Sequence, residues 1–249
     1  MKLTSIFRKG SLLLALPVLL SCHKDPEGEG ADPEKGYATG HVVDTNGKPL
    51  ANVGILLDNT LIFNSYISGK TNANGDYKVK LTTGSWMPYA TLEKEYNGKT
   101  YEVRLHPDNN SGFSIDGGVC NFTWKLTGNR KSPMTGTYGG NIILTRGIGS
   151  ELYDSENIEY TFTPVGTLID GSTGQVLKLH EVANTSYLKD IPIGRYTVTA
   201  VYKLGAVTKS VLLRNRYANG QFASSIQMDF EPESPDGNNM AAIDYKEGQ

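Results

Sequence analysis

From Tyr37 onward the chain is built of short apolar runs that turn-forming residues separate. The runs are rich in Val, Ile, Leu, Thr and Tyr, and Gly, Asn, Asp or Pro interrupts them about every ten residues, as in sheets whose strands turn back repeatedly. Regular breaks of this kind predict an all-β fold of the sandwich type. The 228 residues that follow residue 21 suit two modest domains, each with its own core, or one larger β domain, and we predict two consecutive β-sandwich domains.

Two tight turns order the first of these domains. Asn46-Gly47 joins a strand over residues 37–44 to a returning strand over residues 50–57. Asn74-Gly75 repeats the device, because Asn and Gly readily adopt the positive φ angles that a two-residue turn requires. The side chains that follow the second turn at a spacing of two are predicted to face one core, and they are Tyr77, Val79 and Leu81.

These turns and strands resemble the carboxypeptidase regulatory-like domain, a transthyretin-like (prealbumin-like) β-sandwich family. The similarity covers about residues 37–128 and rests on the pattern Gly40-x-Val42-x-Asp44-x-x-Gly47-x-Pro49-Leu50-x-x-Val53 followed by Thr71-x-x-x-Gly75-x-Tyr77. The resemblance implies a Greek-key sandwich of seven or eight strands with no chemistry of its own. The sequence departs from the family over residues 86–119, which we interpret as elongated strands around a hairpin at Asn97-Gly98.

A second β-sandwich is predicted over residues 136–231, after a linker at residues 129–135. Its sequence Pro192-Ile-Gly-Arg-Tyr-Thr-Val is similar to a turn-into-strand motif of transthyretin-like and collagen-adhesin B-type repeats, which implies the same sandwich class. Residues 232–249 begin with Pro, Glu, Ser, Asp, Gly and Asn, which do not form a core. We therefore predict a disordered carboxyl-terminal tail there.

The amino terminus has the pattern of an export signal. Basic residues precede an apolar run over residues 11–20, which is too short to span a bilayer. The run ends in Leu-Leu-Ser-Cys22, which resembles the lipobox of bacterial lipoproteins and implies removal of residues 1–21 and acylation of Cys22. The alternative is an ordinary secretory signal with a cysteine at this place by chance.

Residues 22–36 contain no large apolar side chain and are predicted to be a flexible acidic tether. Acidic residues just after the cysteine resemble the surface-export signal of lipoproteins from the Bacteroidota. That resemblance implies a lipid-anchored protein of the outer membrane that faces the cell exterior, whereas a plain solvated spacer would have the same composition. The formal net charge of −2 argues against nucleic acid as a partner, because nucleic-acid binding needs clustered Lys and Arg.

The sequence shows no arrangement typical of an enzyme. The four histidines, His23, His41, His106 and His180, have no metal-binding spacing, and no Gly-x-Ser-x-Gly or phosphate-binding loop occurs. Residues 108–118 are rich in oxygen ligands but depart from the EF-hand pattern, which favours a polar loop over a calcium site. Asp154, Glu156 and Glu159 form the acidic cluster that a hydrolase would need, and Cys120 is predicted to be a buried, inert thiol. We predict a non-enzymatic protein without metal or cofactor.

Aromatic residues indicate where a ligand would bind. Carbohydrate sites stack an aromatic ring beneath the sugar and place amides or carboxylates at its rim. The candidate ligand-binding residues, in the segment that departs from the family, are Trp86, Tyr89, Tyr96, Asn97 and Tyr101. The same rings also suit a sandwich core or a protein-docking surface.

These features predict an accessory glycan-binding or scaffold subunit of a nutrient-uptake system at the outer membrane. Lipoproteins with such modules often accompany glycan-uptake complexes, so the resemblance implies a polysaccharide or an outer-membrane transporter complex as partner. The alternative is a structural adhesin or fimbria-associated subunit, whose sandwiches offer a strand edge to a neighbour.

Overall fold

The computed structural model describes residues 32–248, and these residues are almost entirely β-structure. The strands of the first half are β1 (Tyr37–Val43), β2 (Gly54–Asn59), β3 (Tyr66–Lys70), β4 (Asp76–Lys80), β5 (Trp86–Tyr96), β6 (Lys99–Arg104), β7 (His106–Pro107), β8 (Gly118–Val119) and β9 (Phe122–Thr123). Those of the second half are β10 (Gly140–Arg146), β11 (Ile158–Pro164), β12 (Leu177–Leu179), β13 (Tyr187–Ile191), β14 (Tyr196–Leu204), β15 (Val207–Asn215), β16 (Ile226–Met228), β17 (Glu231–Ser234) and β18 (Gly237–Glu247). Within the described range the one helical element is a 3-10 turn at Ser155–Asn157. The predicted all-β, sandwich-type fold class is confirmed.

The first half forms two sheets. Sheet A has the strand order β4-β1-β9-β7, with β8 also paired to β1, and sheet B has the order β3-β2-β5-β6. Alternate side chains of both sheets enter one hydrophobic core, as the period of two along each strand requires. The inward residues include Ala38, Val42, Ile55, Leu57 and Tyr77, none more than 3% exposed. The predicted apolar face at Cys120, Phe122 and Trp124 is also buried.

The predicted turns lie where the sequence places them, but only the glycine of Asn46-Gly47 and of Asn74-Gly75 takes a positive φ angle. The predicted return of the chain over residues 50–57 is wrong, because β2 begins at Gly54 and crosses to sheet B, where it pairs with β3 and β5 rather than with β1. Gly47 and Gly75 have φ angles of 79° and 77°, and Asn97-Gly98 turns β5 into β6 with φ angles of 49° and 76°. The Asp44 carboxylate accepts backbone N–H groups of the first turn, and the Asn72 amide oxygen does the same for the second. The turn residues of the family-like pattern therefore set the geometry of the first half locally.

The second half forms sheet C, a nine-stranded sheet with the path β12-β11-β14-β15-β18-β10-β13. Strand β16 pairs with β14, and β17 pairs with β18. The Pro192 motif opens β14: the Tyr196 hydroxyl donates to the Pro192 carbonyl at 2.7 Å, and Tyr196 and Val198 are at most 1% exposed. A Cβ at Gly194 would lie 2.8 Å from the Leu168 side chain, so a larger residue here would require Leu168 to shift.

The prediction of a disordered tail at residues 232–249 is wrong. Strand β18 occupies Gly237–Glu247, pairs parallel with β10 and antiparallel with β15, and is buried from Asn239 through Tyr245. A strand buried on both faces lacks the alternation of polar and apolar residues by which we identified the other strands. The adjoining Pro, Gly and Asn residues form the short β17–β18 hairpin.

The described residues form one compact unit, and their buried side chains form one hydrophobic cluster drawn from all three sheets. The predicted linker, residues 129–135, connects β9 to β10 and packs beside sheet B. The signal segment at residues 1–21, the lipidation site Cys22 and most of the tether lie outside the described residues. Among the described residues no helix is both long and apolar enough to cross a membrane.

The two glycines with nearly equal φ angles give a test of the turn analysis. Gly47→Ala meets no atom within 4 Å, whereas Gly75→Ala would place its Cβ 2.6 Å from the Val42 carbonyl oxygen. We expect Gly47→Ala to lower the free energy of unfolding by about 1–2 kcal/mol, because a residue with a Cβ is strained in the left-handed conformation. Gly75→Ala should lower it further, because its Cβ also clashes with the backbone of Val42. Urea unfolding of both variants measures the difference, and equal losses would contradict the close approach at Gly75.

Candidate functional site

Three of the predicted ligand-binding residues lie at the junction between sheets B and C. The Tyr96 hydroxyl donates to the Thr167 carbonyl at 2.7 Å and accepts the Arg195 backbone N–H at 3.1 Å. The Tyr101 hydroxyl donates to the Phe230 carbonyl at 2.7 Å. These groups therefore join the two halves of the chain through fixed hydrogen bonds.

An ion-pair network surrounds these tyrosines. Arg195 binds the Asp229 carboxylate through both Nε and Nη2, at 2.9 and 2.7 Å, and Asn97 donates to the same carboxylate at 3.3 Å. Lys99 pairs with Glu231 at 2.8 Å. The hydrogen bond from Arg195 to Asp229 and the negative charge of Asp229 raise the pKa of the guanidinium. The charges of Arg195, Asp229, Lys99 and Glu231 are thus paired, and Asn97 contributes to the same network.

Trp86 and Tyr101 do not stack on a ligand. Trp86 is 3% exposed and donates its ring N–H to the Thr82 carbonyl at 2.9 Å, and Tyr101 is fully buried. The prediction that these two rings form a sugar platform is wrong, because core side chains present no face to solvent. Tyr89 differs from them, since it lies on the outer face of sheet B and remains partly exposed.

Tyr89 lines a groove between the outer face of sheet B and the linker. The groove has a volume of about 460 Å³. The Arg104 guanidinium lies 6.0 Å from the centre of the Tyr89 ring, within reach of a cation–π interaction. The residues that line the groove are Leu56, Asp58, Tyr89 and Arg104 from sheet B, and Arg130, Pro133, Met134 and Thr135 from the linker. This groove combines one aromatic face with polar groups of both signs, as small-ligand sites commonly do.

Arg130 is the unusual residue of the groove. Its Nε atom is buried without a hydrogen-bond partner in the described structure, and its guanidinium lies 5.9 Å from the centre of the Tyr138 ring. Burial lowers the pKa of Arg130, and the positive charge of Arg104 lowers it further. Burial also raises the pKa of Tyr89, as does the charge of Asp58. Asp58 is the one carboxylate that lines the groove, and Glu102, outside the lining, pairs with Arg104 at 3.4 Å. The Arg130 guanidinium has no ion-pair partner in the described structure, and its charge favours a ligand that carries an anionic group.

Asp154 and Glu159, two members of the acidic cluster that a hydrolase would need, are held by structural partners. Asp154 accepts hydrogen bonds from the Tyr202 hydroxyl and from Asn157, and the Tyr202 bond is the main cause of its lowered pKa. Glu159 pairs with Lys203 at 3.1 Å, which lowers its pKa as well. A general acid of a glycosidase needs a raised pKa, so both shifts run against that role.

The histidines of the described range and Cys120, the remaining candidates for catalysis or metal binding, each have separate partners. His41 pairs with Asp76, His106 with the Tyr138 hydroxyl and His180 with the Glu156 carbonyl. Cys120 is buried, and burial raises the pKa of its thiol to about 12, which makes it unreactive near neutral pH. Within residues 32–248, no three His, Cys, Asp or Glu side chains are grouped so as to hold a metal ion.

Most of the groove was not predicted from the sequence. Arg130, Pro133 and Met134 come from a segment that we interpreted as a linker, and nothing in its composition indicates that it packs on sheet B. For β5 a signal was available, because successive side chains of a strand point to opposite faces. Trp86 and Tyr89 are three residues apart, so they were bound to lie on opposite faces of one strand.

The junction yields a stability prediction. Tyr96→Phe removes a hydroxyl that both donates and accepts a hydrogen bond, so we expect a loss of about 1–3 kcal/mol in unfolding free energy. Calorimetry would detect this as a lower Tm, by about 2–4 °C for each kcal/mol. Tyr66→Phe is the matched control, because the Tyr66 side chain is 60% exposed. An unchanged Tm for Tyr96→Phe would show that the junction does not depend on this hydroxyl.

No protein-family model matches the sequence, and no curated protein matches it significantly. The fold is similar to the Bacillus anthracis TIE protein, at 17% identity and a TM-score of 0.33, over 87% of this chain and 35% of that protein. A streptococcal ancillary pilin gives 12% identity and a TM-score of 0.28, over 86% of this chain and 63% of the pilin. A single B repeat unit of the collagen-binding surface protein of Staphylococcus aureus gives 9% identity and a TM-score of 0.24. The similarity covers 86% of this chain and 98% of the repeat unit. The chain thus spans well under two thirds of the TIE protein, and similarity at this level assigns neither a family nor a function.

Proposed function

We propose that the protein is a non-enzymatic, lipid-anchored surface protein of the Bacteroidota type, which binds a glycan as an accessory subunit of a nutrient-uptake system. The groove beside Tyr89 is the observation that carries this proposal. A tyrosine ring supplies the apolar face on which a sugar stacks, and Asp58, Arg104 and Arg130 supply acceptors and donors around it. The arginines favour an acidic polysaccharide over a neutral one.

The proposal places no chemical step at the groove. Asp58 is the one carboxylate that lines it, and acid–base cleavage of a glycosidic bond uses two. Sheet B and the linker hold the groove side chains in place, which suits capture and release of a polymer. Captured glycan would be passed to a partner such as an outer-membrane transporter complex.

A structural adhesin or fimbria-associated subunit is the second candidate, and strand β3 is the observation that favours it. Strand β3 is an edge of sheet B, paired only with β2 among the described residues, and its Tyr66, Ser68 and Lys70 are exposed. An edge of this kind accepts a strand from a neighbouring chain. It has five residues, which makes it a short edge for such an interaction.

Affinity gel electrophoresis tests the glycan proposal. Residues 22–249 with Cys22→Ala would be run through gels that contain polygalacturonate, alginate or chondroitin sulfate, with dextran as the neutral comparison. We expect at least one acidic polymer to retard the protein. Tyr89→Ala and Arg104→Ala should each weaken this binding about tenfold, which corresponds to about 1.4 kcal/mol.

Tyr153→Ala is the matched control for these variants. Tyr153 is 74% exposed and forms a closer tyrosine–arginine pair, with Arg146 4.0 Å from its ring centre, outside the groove. Equal losses from Tyr153→Ala and Tyr89→Ala would assign the retardation to nonspecific contact. No retardation in any gel, together with self-association that Ser68→Pro abolishes, would favour the adhesin instead.

The lipid anchor has its own test. Metabolic labelling with palmitate should mark the full chain, and Cys22→Ala should abolish the label. Cys120→Ala is the matched control, because Cys120 is buried and should carry no acyl group. Equal labelling of Cys22→Ala and the parent would refute the anchor while leaving the groove proposal intact.

A further inference from the structure

The loop between β2 and β3 exposes three consecutive large apolar side chains. Leu61 is 78% exposed, Ile62 is 60% exposed and Phe63 is fully exposed. Tyr66, at the start of β3, is 60% exposed beside them. Soluble proteins rarely present large apolar groups contiguously to water without a use for them. We call residues 61–63 the apolar tip.

The backbone of the apolar tip is held by hydrogen bonds within the protein. The Asn59 side-chain oxygen accepts the backbone N–H groups of Leu61 and Ile62, at 2.9 and 3.1 Å. The backbone N–H of Asn59 donates to the Ser65 carbonyl at 2.8 Å, and that of Thr60 to the Ser85 carbonyl at 2.9 Å. The side chains of the tip are therefore presented on an ordered loop. Two of its N–H groups would also need no water if the tip entered an apolar phase.

The amino-acid composition around the apolar tip also suits an apolar phase. Residues 59–69 contain no charged side chain, so insertion of the tip would bury no charge. Tyr66 flanks the tip, and tyrosine is enriched where an apolar phase meets water, because its ring is apolar and its hydroxyl polar. An apolar apex with an aromatic residue at its shoulder suits the interfacial region of a bilayer.

The tip lies at the end of the sandwich where the described chain begins. Gly36 donates to the Ile115 carbonyl at 2.8 Å, two residues from Phe113, which exchanges backbone hydrogen bonds with Trp86. Trp86 pairs in turn with Asn59 at the base of the tip. A continuous set of backbone contacts thus connects the start of β1 to the apolar tip.

The second half of the chain contacts the opposite end of sheet B. Strand β5 begins at Trp86, next to the tip, and ends at Tyr96, which bonds to Thr167. Eleven residues of extended strand separate these points by about 34 Å. The tip is therefore unobstructed by sheet C.

We propose that the apolar tip inserts into the lipid bilayer that holds the acyl anchor at Cys22, and that it fixes the orientation of the protein on that surface. The proposal rests on the lipid anchor of the proposed function, because the ten residue steps from Cys22 to Asp32 span at most about 36 Å. The anchored membrane is thus always within reach of the end that carries the tip. Insertion depends on apolar contact, so it requires no anionic lipid.

The test uses a chain without the acyl group, so that only the tip can bind. Residues 22–249 with Cys22→Ala would be floated with phosphatidylcholine vesicles. We expect the parent to float with the vesicles, and Leu61→Ser/Ile62→Ser/Phe63→Ser to bind at least about tenfold more weakly. Ile148→Ser is the matched control, because Ile148 is a fully exposed isoleucine in the second half of the chain, and it should bind as the parent does. The variants change exposed side chains only, and circular dichroism confirms that each is folded.

An environment-sensitive fluorophore gives a second measurement. It would be attached to Phe63→Cys or to Ile148→Cys, with Cys120 protected by burial. Vesicles should shift the emission to the blue at position 63 and leave position 148 unchanged. Salt, or the addition of phosphatidylglycerol to the vesicles, should alter neither result.

Several outcomes would overturn the proposal. They are a parent that does not float, a triple variant that floats equally well, and binding that requires anionic lipid and disappears in salt. A dimer that the triple variant abolishes, without vesicle binding by the parent, would assign the tip to a second copy of the chain. Because the tested chain lacks Cys22, these outcomes are independent of acylation, and because no polysaccharide is present, they are independent of the groove.

Discussion

The carboxyl-terminal strand β18 is the element on which the second half of the fold depends. It lies between β10, the first strand of sheet C, and β15, so the central part of the sheet is complete only when the end of the chain is in place. Its Asp244 is 5% exposed, and a buried carboxylate without partners would be strongly unfavourable. Arg214 binds one of its oxygens and Arg216 binds the other, each through Nε and Nη2. The arginines are themselves partly exposed, so their charges stay hydrated while they neutralise the carboxylate.

Local chemistry made part of this fold predictable. Gly47 and Gly75 take the positive φ angles of their turns whatever the rest of the chain does, and the Tyr196 hydroxyl donates back to the Pro192 carbonyl within four residues. Strand β18 has a local signal only at its start, where Pro235-Asp236-Gly237 turns β17 into it. Its central residues, Ala241 to Ile243, are small or apolar without alternation, and the neighbours that make them a strand are more than twenty residues away in sequence. Prediction from sequence failed where strand formation depends on distant partners.

The residues of the candidate site also divide into those that the sequence could place and those that it could not. A period of two along β5 was enough to place Trp86 and Tyr89 on opposite faces, because the two residues differ by an odd number of positions, and the structure shows that Trp86 is the one in the core. The aromatic composition of the segment concealed this difference, since every tyrosine in it suits a sugar platform equally well. Tyr96 and Tyr101 became junction residues because Thr167, Arg195 and Phe230 supply their partners. Likewise Arg130 enters the groove only because the linker folds back on sheet B.

Strand β5 relates the two proposed binding features, the apolar tip and the groove, to the junction with sheet C. The apolar tip lies at its beginning, the junction with sheet C at its end, and Tyr89 three residues from the beginning, about 10 Å along the strand. If the tip rests in a bilayer, the strand rises from the surface, and the groove opens sideways just above the lipid headgroups. A polymer bound there would run along the membrane surface rather than away from it. Sheet C would then lie on the side of the junction that faces away from the membrane, and the pairs Arg195–Asp229 and Lys99–Glu231 would hold its orientation relative to sheet B. A protein arranged in this way would keep its ligand close to whatever transporter shares the membrane, which is the task that an accessory glycan-binding subunit has to perform.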